Sequence, residues 1–339
     1  MKTNIYVIYG GKSVEHDASL LSAFSVINSL DKYKYNVYPI YITRGGVWCD
    51  LGKLKSNVKD IKQLQLDSSS TVTDSVGEFI TKQLKKNEKC IAFPVLHGTN
   101  GEDGTIQGLF EMLNIPYVGN GVLSSAVGID KVMMKDIFSL RNIPQADYTS
   151  LRLYDWKANE EKAYKQIEDS LAYPCFVKPA KLGSSVGINR CEDRSQLKEA
   201  IKEAFLYDNK IIVEEEIIGR EMQIAVIGND YPKASVIGEY IQERQFMDYA
   251  AKYIDGKLVP VIPARLSTET SEAMRDIAIQ CFKSLNCCGL VRVDYFVTDD
   301  NNFYVNEVNT LPGFTSYSMF PALWEKTDGR DNSLPPVAR

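Results

Sequence analysis

The chain lacks an apolar run long enough to cross a membrane, and its cysteines lack metal-ligand spacing. No stretch approaches the roughly 18 apolar residues that a membrane-spanning helix needs. The N-terminal run Ile-Tyr-Val-Ile-Tyr is too short for a signal peptide and ends at Gly10 and Gly11. Seven cysteines without such a signal predict reduced, mostly buried thiols in a cytoplasmic protein that does not bind a membrane.

An excess of positive charge is also missing. The chain has 39 Lys and Arg against 44 Asp and Glu, a net charge of −5. Bulk electrostatics therefore favour neither nucleic acid nor an anionic membrane as a partner, and a phosphate site must be built locally. Internal repeats and low-complexity tracts are absent as well. What is present is an ordinary apolar fraction of 44% over 339 residues, which predicts two or three domains with real cores.

The order of apolar patterns predicts a parallel α/β unit at the N-terminus. A short apolar strand at residues 4–9 stops at a glycine pair, and helical spacing and a second strand at 35–43 follow. A buried strand at 90–96 and another helix come next. We place this first domain at residues 1–121 and interpret residues 52–75 as a polar surface segment.

Two further domains are predicted after it. The second, residues 122–210, is expected to contain a helix at 123–141, a strand hairpin at 173–179 and 186–191, and a second helix with its apolar face at 197–205. The third, residues 211–339, is expected to contain two strands, a long loop, a helix and a final hairpin: 211–216, 221–227, 244–262, 271–285, 290–297 and 303–309. These segments follow from strand-like and helix-like apolar spacing between turn residues.

The final hairpin is the most informative feature of the chain. Two strands rich in β-branched and aromatic residues flank an Asp-Asp-Asn-Asn turn. Folding about that turn places Asp294 opposite Glu307 and Arg292 opposite Asn309, all on one face. Opposed like charges destabilise a sheet, whereas a bound cation would reverse that effect. Carboxylate and amide oxygens suit magnesium, although a solvated hairpin with its charges in water is the alternative.

Two glycine-containing segments are candidate active-site loops. The Gly-Ser loop at 180–185 lets backbone N–H groups approach a phosphate, and Lys178 precedes it with a positive charge. An ordinary β-turn is the alternative interpretation. The segment at 96–105 follows a strand end, where ligands bind in open α/β sheets. His97 in this segment is therefore either a functional residue or a packed one.

Other polar residues permit two interpretations each. Glu15 either caps the first helix or pairs with a cationic substrate group. Glu214 and Glu216 share one face of a strand. They either accept hydrogen bonds from the base or ribose of a nucleotide, or they lie on a solvated strand edge. Lys252 lies among aromatics in the long loop, which suits a lid over phosphate or a packed surface loop. The Pro-Gly turn at Gly313 exposes backbone N–H groups where an oxyanion would be stabilised.

Taken in order, these segments resemble the D-alanine–D-alanine ligases of the ATP-grasp superfamily. The matching blocks run from residue 10 to about 325 and include G-G-K-S-V-E-H-D-A-S, L-H-G-T-N-G-E-D-G-T, D-K-V-M-M-K, F-V-K-P-A-K-L-G-S-S-V-G-I and N-E-V-N-T-L-P-G-F-T-S-Y-S-M. The resemblance implies an α/β (α+β) fold of three domains, with a parallel N-terminal domain and the nucleotide between two small antiparallel sheets. It implies that ATP phosphorylates one D-alanine and that the amine of a second attacks the acyl phosphate, giving a dipeptide for peptidoglycan synthesis.

The resemblance also implies roles for individual residues. ATP would be held by Lys131, Lys178, Ser184, Ser185, Glu214, Glu221 and Lys252. Two magnesium ions, with manganese as the alternative, would be bound by Asp294, Glu307 and Asn309. The two D-alanines would be contacted by Glu15, His97, Ser318 and Met319. The catalytic residues would be Glu15, Ser184, Tyr253, Arg292 and Gly313.

The resemblance further implies small-molecule substrates and a homodimer. The chain departs from the family at its end, because the residues after Trp324 and Glu325 show no helical periodicity. We therefore expect a disordered tail in place of a last amphipathic helix, at a cost in stability. Two alternatives stay open. One is a related ligase that takes D-serine or D-lactate as second substrate, and the other is an ATP-binding homologue whose truncated C-terminus impairs catalysis.

Overall fold

The structure is a computed structural model that describes residues 2–83, 89–183, 186–241 and 259–329. Its strands are β1 Thr3–Gly10, β2 Tyr35–Ile42, β3 Trp48–Asp50, β4 Cys90–Val95, β5 Tyr148–Arg152, β6 Cys175–Pro179, β7 Asn189–Cys191, β8 Lys210–Glu215, β9 Arg220–Gly228, β10 Lys233–Ile241, β11 Val259–Val261, β12 Gly289–Val297 and β13 Phe303–Asn309. Its helices are α1 His16–Ser29, α2 Val72–Glu78, α3 Thr105–Met112, α4 Val122–Ile129, α5 Lys131–Leu140, α6 Leu153–Ala158, α7 Glu160–Ser170, α8 Arg194–Ala204, α9 Thr268–Ser284 and α10 Met319–Asp328. Within the described part of the chain, no helix combines the length and apolarity that a bilayer crossing needs.

The first sheet has the strand order β3-β2-β1-β4 and confirms the predicted parallel unit. β1 pairs in parallel with both β2 and β4, and α1 follows it directly. The glycines between β1 and α1 are required by space and by backbone conformation. Gly10 has φ 90°, and a Cβ built on it would lie 2.2 Å from the Ile42 carbonyl oxygen. The chain can therefore turn sharply from the sheet edge into α1, which brings the start of the helix to the site described below.

Two predictions for the N-terminal half are wrong in detail. The segment at 52–75 is not simply a polar surface segment, because Val58 and Leu64 are buried and the Tyr9 hydroxyl donates to the Leu64 carbonyl at 2.8 Å. The single helix expected at 123–141 is two helices, α4 and α5. Asp130 separates them and caps α5, where its side chain accepts from the Met133 N–H at 3.2 Å.

The second sheet has the order β5-β8-β6-β7 and is antiparallel throughout. β6 and β7 form the predicted hairpin around the Gly-Ser loop. β8, which we expected to open the third region, lies instead in the middle of this sheet. Its pairing partner β5 begins more than sixty positions earlier in the chain, so no local pattern could reveal the pairing. The elements β5, α6 and α7 were not predicted from the sequence.

The third sheet has the order β11-β10-β9-β12-β13 and contains the predicted hairpin. The register pairs Asp294 with Glu307 and Arg292 with Asn309, as predicted. An irregularity follows between Asp294 and Tyr295. β10 was missed, although it forms the neighbour of β9. We call β12 and β13 the acidic ribbon, because they carry the opposed carboxylates.

The last described element is a helix that extends past Lys326, where disorder was predicted to begin. α10 continues to Asp328, and Gly329 with φ 64° ends it. Phe320, Leu323 and Trp324 are buried in the core that α10 shares with the first sheet. These apolar residues hold the helix, and the Thr327 hydroxyl accepts a hydrogen bond from the Val236 N–H of β10 at 2.9 Å. Residues 330–339 lie outside the described residues.

Asn120 connects the first domain to the acidic ribbon. The side chain is 2% exposed. Its amide nitrogen donates to the carbonyls of Leu290 and Thr310, each at 2.7 Å, and its oxygen accepts from the Cys288 N–H at 3.0 Å. Three backbone groups from both strands at the open end of the ribbon therefore depend on one side chain.

We predict that Asn120→Ala lowers the free energy of unfolding by about 3 kcal/mol, because it leaves buried backbone groups without a partner. Urea unfolding followed by circular dichroism measures this. Asn57→Ala is the matched control, since Asn57 is exposed and accepts only from the Lys32 ammonium at 2.7 Å. Equal midpoints for the two variants would contradict the role given to Asn120.

Candidate active site

A cavity of about 580 Å³ lies against the acidic ribbon and reaches into the first domain. Cavities of a few hundred cubic ångströms are typical of small-molecule sites. The predicted site residues on its wall are Glu15, His97, Lys131, Arg292, Glu307, Asn309, Gly313, Ser318 and Met319. Polar wall residues that received no role from the sequence include Ser22, Glu102 and Gln223. Residues more than 200 positions apart thus meet around one space.

Charges on the acidic ribbon are arranged so that each carboxylate faces a cation. The Arg292 guanidinium binds both oxygens of Asp294, with Nε and Nη2 at 2.7 Å, and Lys131 Nζ lies 3.4 Å from Glu307. Burial disfavours the charge of Arg292, yet Asp294 and Glu307 keep the pKa of its guanidinium above the ordinary value. The expectation that a bound ion alone would offset the acidic pair was therefore incomplete. A fully solvated hairpin is also wrong, because Glu307 and Asn309 face the cavity.

The ribbon supplies oxygen donors suited to a hard divalent cation. Asp294 and Glu307 are cross-strand neighbours. Asn309 Nδ2 donates to Asp294 at 3.1 Å, which leaves the side-chain oxygen of Asn309 available to coordinate an ion. Among the described residues, no group of three or more His, Cys, Asp or Glu side chains is placed to hold a metal. Two carboxylates and one amide suit an ion that keeps water and phosphate as its other ligands.

Glu15 lies at the start of α1, but its side chain does not cap the helix. The capping interpretation is therefore wrong. A Cβ at Gly98 would lie 2.6 Å from Glu15 Oε2, and a Cβ at Gly183 would lie 3.3 Å from the same atom. Both glycine loops thus approach one buried carboxylate closely, which only glycine permits at Gly98 with its φ of 73°. The carboxylate is presented to the cavity between them.

His97 is buried on the cavity wall, so it is both packed and part of the candidate site. Its Nε2 lies 3.0 Å from the Ser22 hydroxyl. Burial lowers the pKa of His97, which outweighs the attraction of Glu15. The imidazole is therefore neutral at physiological pH.

Glu102 faces the same cavity and was missed as a candidate. Its Oε2 accepts from the Gly98 N–H at 2.7 Å. Burial raises the pKa of Glu102 to about 8, and repulsion from Glu15 adds to that rise. The Glu102 carboxyl is therefore mostly protonated near neutral pH. The run of acidic and glycine residues after His97 was the only signal in the sequence.

Lys178 and Glu214, both predicted to contact ATP, form a buried ion pair in the second sheet. Lys135, which was not predicted, lies 3.2 Å from the other Glu214 oxygen. Burial alone would raise the pKa of Glu214, but the two lysines lower it to about 2. The solvated-edge interpretation is therefore wrong for Glu214. Lys135 could have been suspected, because it lies one helical turn after Lys131.

The remaining predicted residues divide between described and undescribed parts of the chain. Glu221 is on β9, opposite Phe296 of β12, and so belongs to the third sheet rather than to that of Glu214. Lys131 Nζ donates to the Leu182 carbonyl at 3.0 Å, which holds the start of the Gly-Ser loop at the cavity. The predicted residues Ser184, Ser185, Lys252 and Tyr253 lie outside the described residues.

The turn after the acidic ribbon brings three predicted residues to the cavity. The Ser318 hydroxyl accepts from the Thr315 N–H at 2.9 Å, and a Cβ at Gly313 would lie 2.8 Å from that hydroxyl. Met319 is the first residue of α10 and is buried in the core. The tight turn therefore leaves little room for a side chain at position 313, and it places Gly313 on the cavity wall.

We predict that Glu102→Gln flattens the dependence of stability on pH. Between about pH 4.5 and 8 the unfolded chain has released this proton while the folded protein retains it, so wild-type stability falls as pH rises. Glutamine cannot titrate and keeps an oxygen for the Gly98 N–H. Melting temperatures from pH 5 to 8 measure this, with the exposed Glu199→Gln as control. Parallel curves for wild type and Glu102→Gln would contradict the prediction.

Comparison with known proteins gives matches over almost the whole chain. The family described as D-ala D-ala ligase N-terminus matches residues 4–120, and that described as D-ala D-ala ligase C-terminus matches residues 137–332. The D-alanine–D-alanine ligase of Geobacillus thermodenitrificans is 52% identical over 331 residues, which cover 96% of this chain and 91% of that protein. That of Listeria monocytogenes is 47% identical over 339 residues, which cover 96% and 92%.

Solved structures agree with these sequence matches. The D-Ala:D-Ser ligase VanG from Enterococcus faecalis has a TM-score of 0.80 and 34% identity, covering 98% of this chain and 96% of that one. The D-alanine–D-alanine ligase from Coxiella burnetii has a TM-score of 0.77 and 33% identity, covering 97% and 91%. These matches confirm the predicted ATP-grasp fold and a ligase that uses ATP and a metal ion. The chain belongs to the D-alanine–D-alanine ligase family.

Proposed function

We propose that this protein joins two D-alanines to D-alanyl-D-alanine for peptidoglycan synthesis, using ATP through an acyl phosphate. The observation that carries the proposal is the single cavity where Glu15, Lys131, Arg292 and the acidic ribbon meet. Relatives about half identical to this chain carry that activity in their names. D-Alanine is therefore favoured over D-serine or D-lactate as the second substrate.

We assign the nucleotide and its metal ion to residues of two sheets. We assign ATP to Lys131, Lys178, Glu214 and Glu221, together with Ser184, Ser185 and Lys252. We assign magnesium, with manganese as the alternative, to Asp294, Glu307 and Asn309. When bound, the ion supplies positive charge that offsets the charge of the transferring phosphoryl group.

Binding of the first D-alanine falls to Glu15. Its buried carboxylate suits the substrate ammonium group, since a charge-assisted hydrogen bond is strong in a dry site. The neutral acid of Glu102 beside it avoids a second negative charge. We assign the carboxylate of the second D-alanine to the Ser318 hydroxyl, with Met319 beside it.

Stabilisation of the tetrahedral intermediate falls to Arg292 and the Gly313 N–H. Both are held in place before the reaction, Arg292 by Asp294 and Gly313 by the tight turn, so little reorganisation is needed as charge develops. An acyl phosphate also requires exclusion of water. We assign that task to the loop that contains Lys252 and Tyr253, with Tyr253, Ser184 and Glu15 linking loop and domains.

Three further proposals concern the domain boundaries, the oligomeric state and the cellular location. We propose three domains as the sequence indicated, with the second boundary moved to follow Glu215, because β8 belongs to the second sheet. A homodimer is expected from the family resemblance. Seven free thiols support the expected cytoplasmic location.

We predict that the protein releases phosphate only when both ATP and D-alanine are present, and that the product has the mass of D-alanyl-D-alanine. Coupled phosphate assays and mass spectrometry measure this. Equimolar D-serine or D-lactate added as competitor should give mainly the D-alanine dipeptide. An excess of the product that joins D-alanine to D-serine or D-lactate would favour the alternative second substrate. Absence of any dipeptide would overturn the ligase function.

We predict that Glu307→Gln reduces kcat on the order of 100-fold or more at low magnesium, because it removes one anionic ligand. High magnesium should restore part of the activity. Glu199→Gln is the control, since Glu199 is exposed and pairs only with Lys202 at 2.7 Å. Near-normal turnover of Glu307→Gln at low magnesium would count against the metal assignment.

A further inference from the structure

Ser22 is a buried hydroxyl on the cavity wall that the proposed mechanism does not use. It lies on α1 and is 1% exposed. Its Oγ accepts from the Phe314 N–H at 3.2 Å and lies 3.0 Å from His97 Nε2. One side chain of the first domain therefore contacts both the loop after β4 and the turn after the acidic ribbon.

The direction of these hydrogen bonds follows from what each group can do. The Phe314 N–H can only donate, so Ser22 Oγ accepts there and its own hydrogen is free for His97 Nε2. Among the described residues, His97 Nε2 is the only hydrogen-bond partner that could accept that hydrogen. Nε2 is then the acceptor nitrogen and Nδ1 carries the proton.

The position of Phe314 gives this chain of hydrogen bonds its importance. The turn from Thr310 to Ser318 is held at its start by Asn120 and at its end by Ser318 itself. In between, the Phe314 peptide next to Gly313 is held by Ser22 alone among the described hydrogen bonds. Movement of this peptide would move the Gly313 N–H that faces the developing oxyanion.

We propose that Ser22 is a positioning residue, whose hydroxyl holds the His97 imidazole in the Nδ1–H form and fixes the Phe314 peptide so that the Gly313 N–H faces the cavity. The inference rests on the proposed ligase function. It gives His97 a supporting role toward the turn, in place of the contact with the substrate carboxylate that the family resemblance implied.

Kinetics of Ser22→Ala test the role in the reaction. A group that acts through the Gly313 N–H serves the transition state, so kcat and kcat/KM for the dipeptide should fall equally. Loss of one buried hydrogen bond predicts a fall on the order of 10- to 100-fold, with the KM for ATP changed less than about twofold. Ser25→Ala is the matched control. Ser25 is on the same helix, and among the described contacts its hydroxyl donates only to the Leu21 carbonyl one turn earlier.

A second pair of variants separates the hydroxyl from packing. Ser22→Thr and Ser22→Val add nearly the same volume, but only threonine keeps a hydroxyl. Threonine should retain at least about tenfold more activity than valine, at matched melting temperatures. Equal activity of the two variants would overturn the proposal, even if Ser22→Ala folds poorly.

The histidines provide a readout that is independent of activity. The chain contains only two, His16 and His97, so ¹⁵N-labelled imidazole spectra can be assigned with one His16→Gln variant. We expect His97 in the Nδ1–H form, with its Nε2 resonance displaced in Ser22→Ala and unchanged in Ser25→Ala. An Nε2–H form in the wild type, or an unchanged spectrum in Ser22→Ala, would overturn the proposal. An inactive wild type would instead overturn the ligase function and, with it, the kinetic role of Ser22.

Discussion

The site depends on how opposite charges are paired along the acidic ribbon. An antiparallel register forces Asp294 and Glu307 onto one face, where alone they would repel. Arg292 from the same strand takes one carboxylate, and Lys131 from the start of α5 takes the other. The ribbon is therefore stable before any ligand arrives. The same cations and oxygens are available to phosphate and to a metal ion, so stability and binding share one set of groups.

Close approach of backbone to Glu15 joins the remaining parts. The loop after β4 and the loop between β6 and β7 both reach this carboxylate through glycines. Segments from two sheets and from α1 thus meet where a substrate ammonium would bind. Burial at this point would be costly for two ionised acids, and the raised pKa of Glu102 removes one of the charges.

The cluster around Glu214, where we propose that ATP binds, shows the opposite balance. Glu214 is the one acid between Lys135 and Lys178, and all three are nearly inaccessible to water. Burial lowers the pKa of Lys135, so two lysines around one carboxylate in a dry environment are a poor way to gain stability. An anionic ligand such as phosphate would give the second lysine a partner. We therefore take this cluster as support for the proposed ATP site rather than as a stabilising feature.

The sequence alone determined the features that depend on local spacing. The strand–glycine–helix opening, the ribbon register that pairs Asp294 with Glu307, and the ordered blocks of the ligase family all depend on turns and side-chain alternation. Tertiary structure decided the place of β8 in the second sheet, the burial of Leu64 and the contacts of Ser22 and Lys135. Each of these depends on a partner far away in the chain. A lone serine or lysine carries no periodic signal, so only the folded chain shows what it contacts.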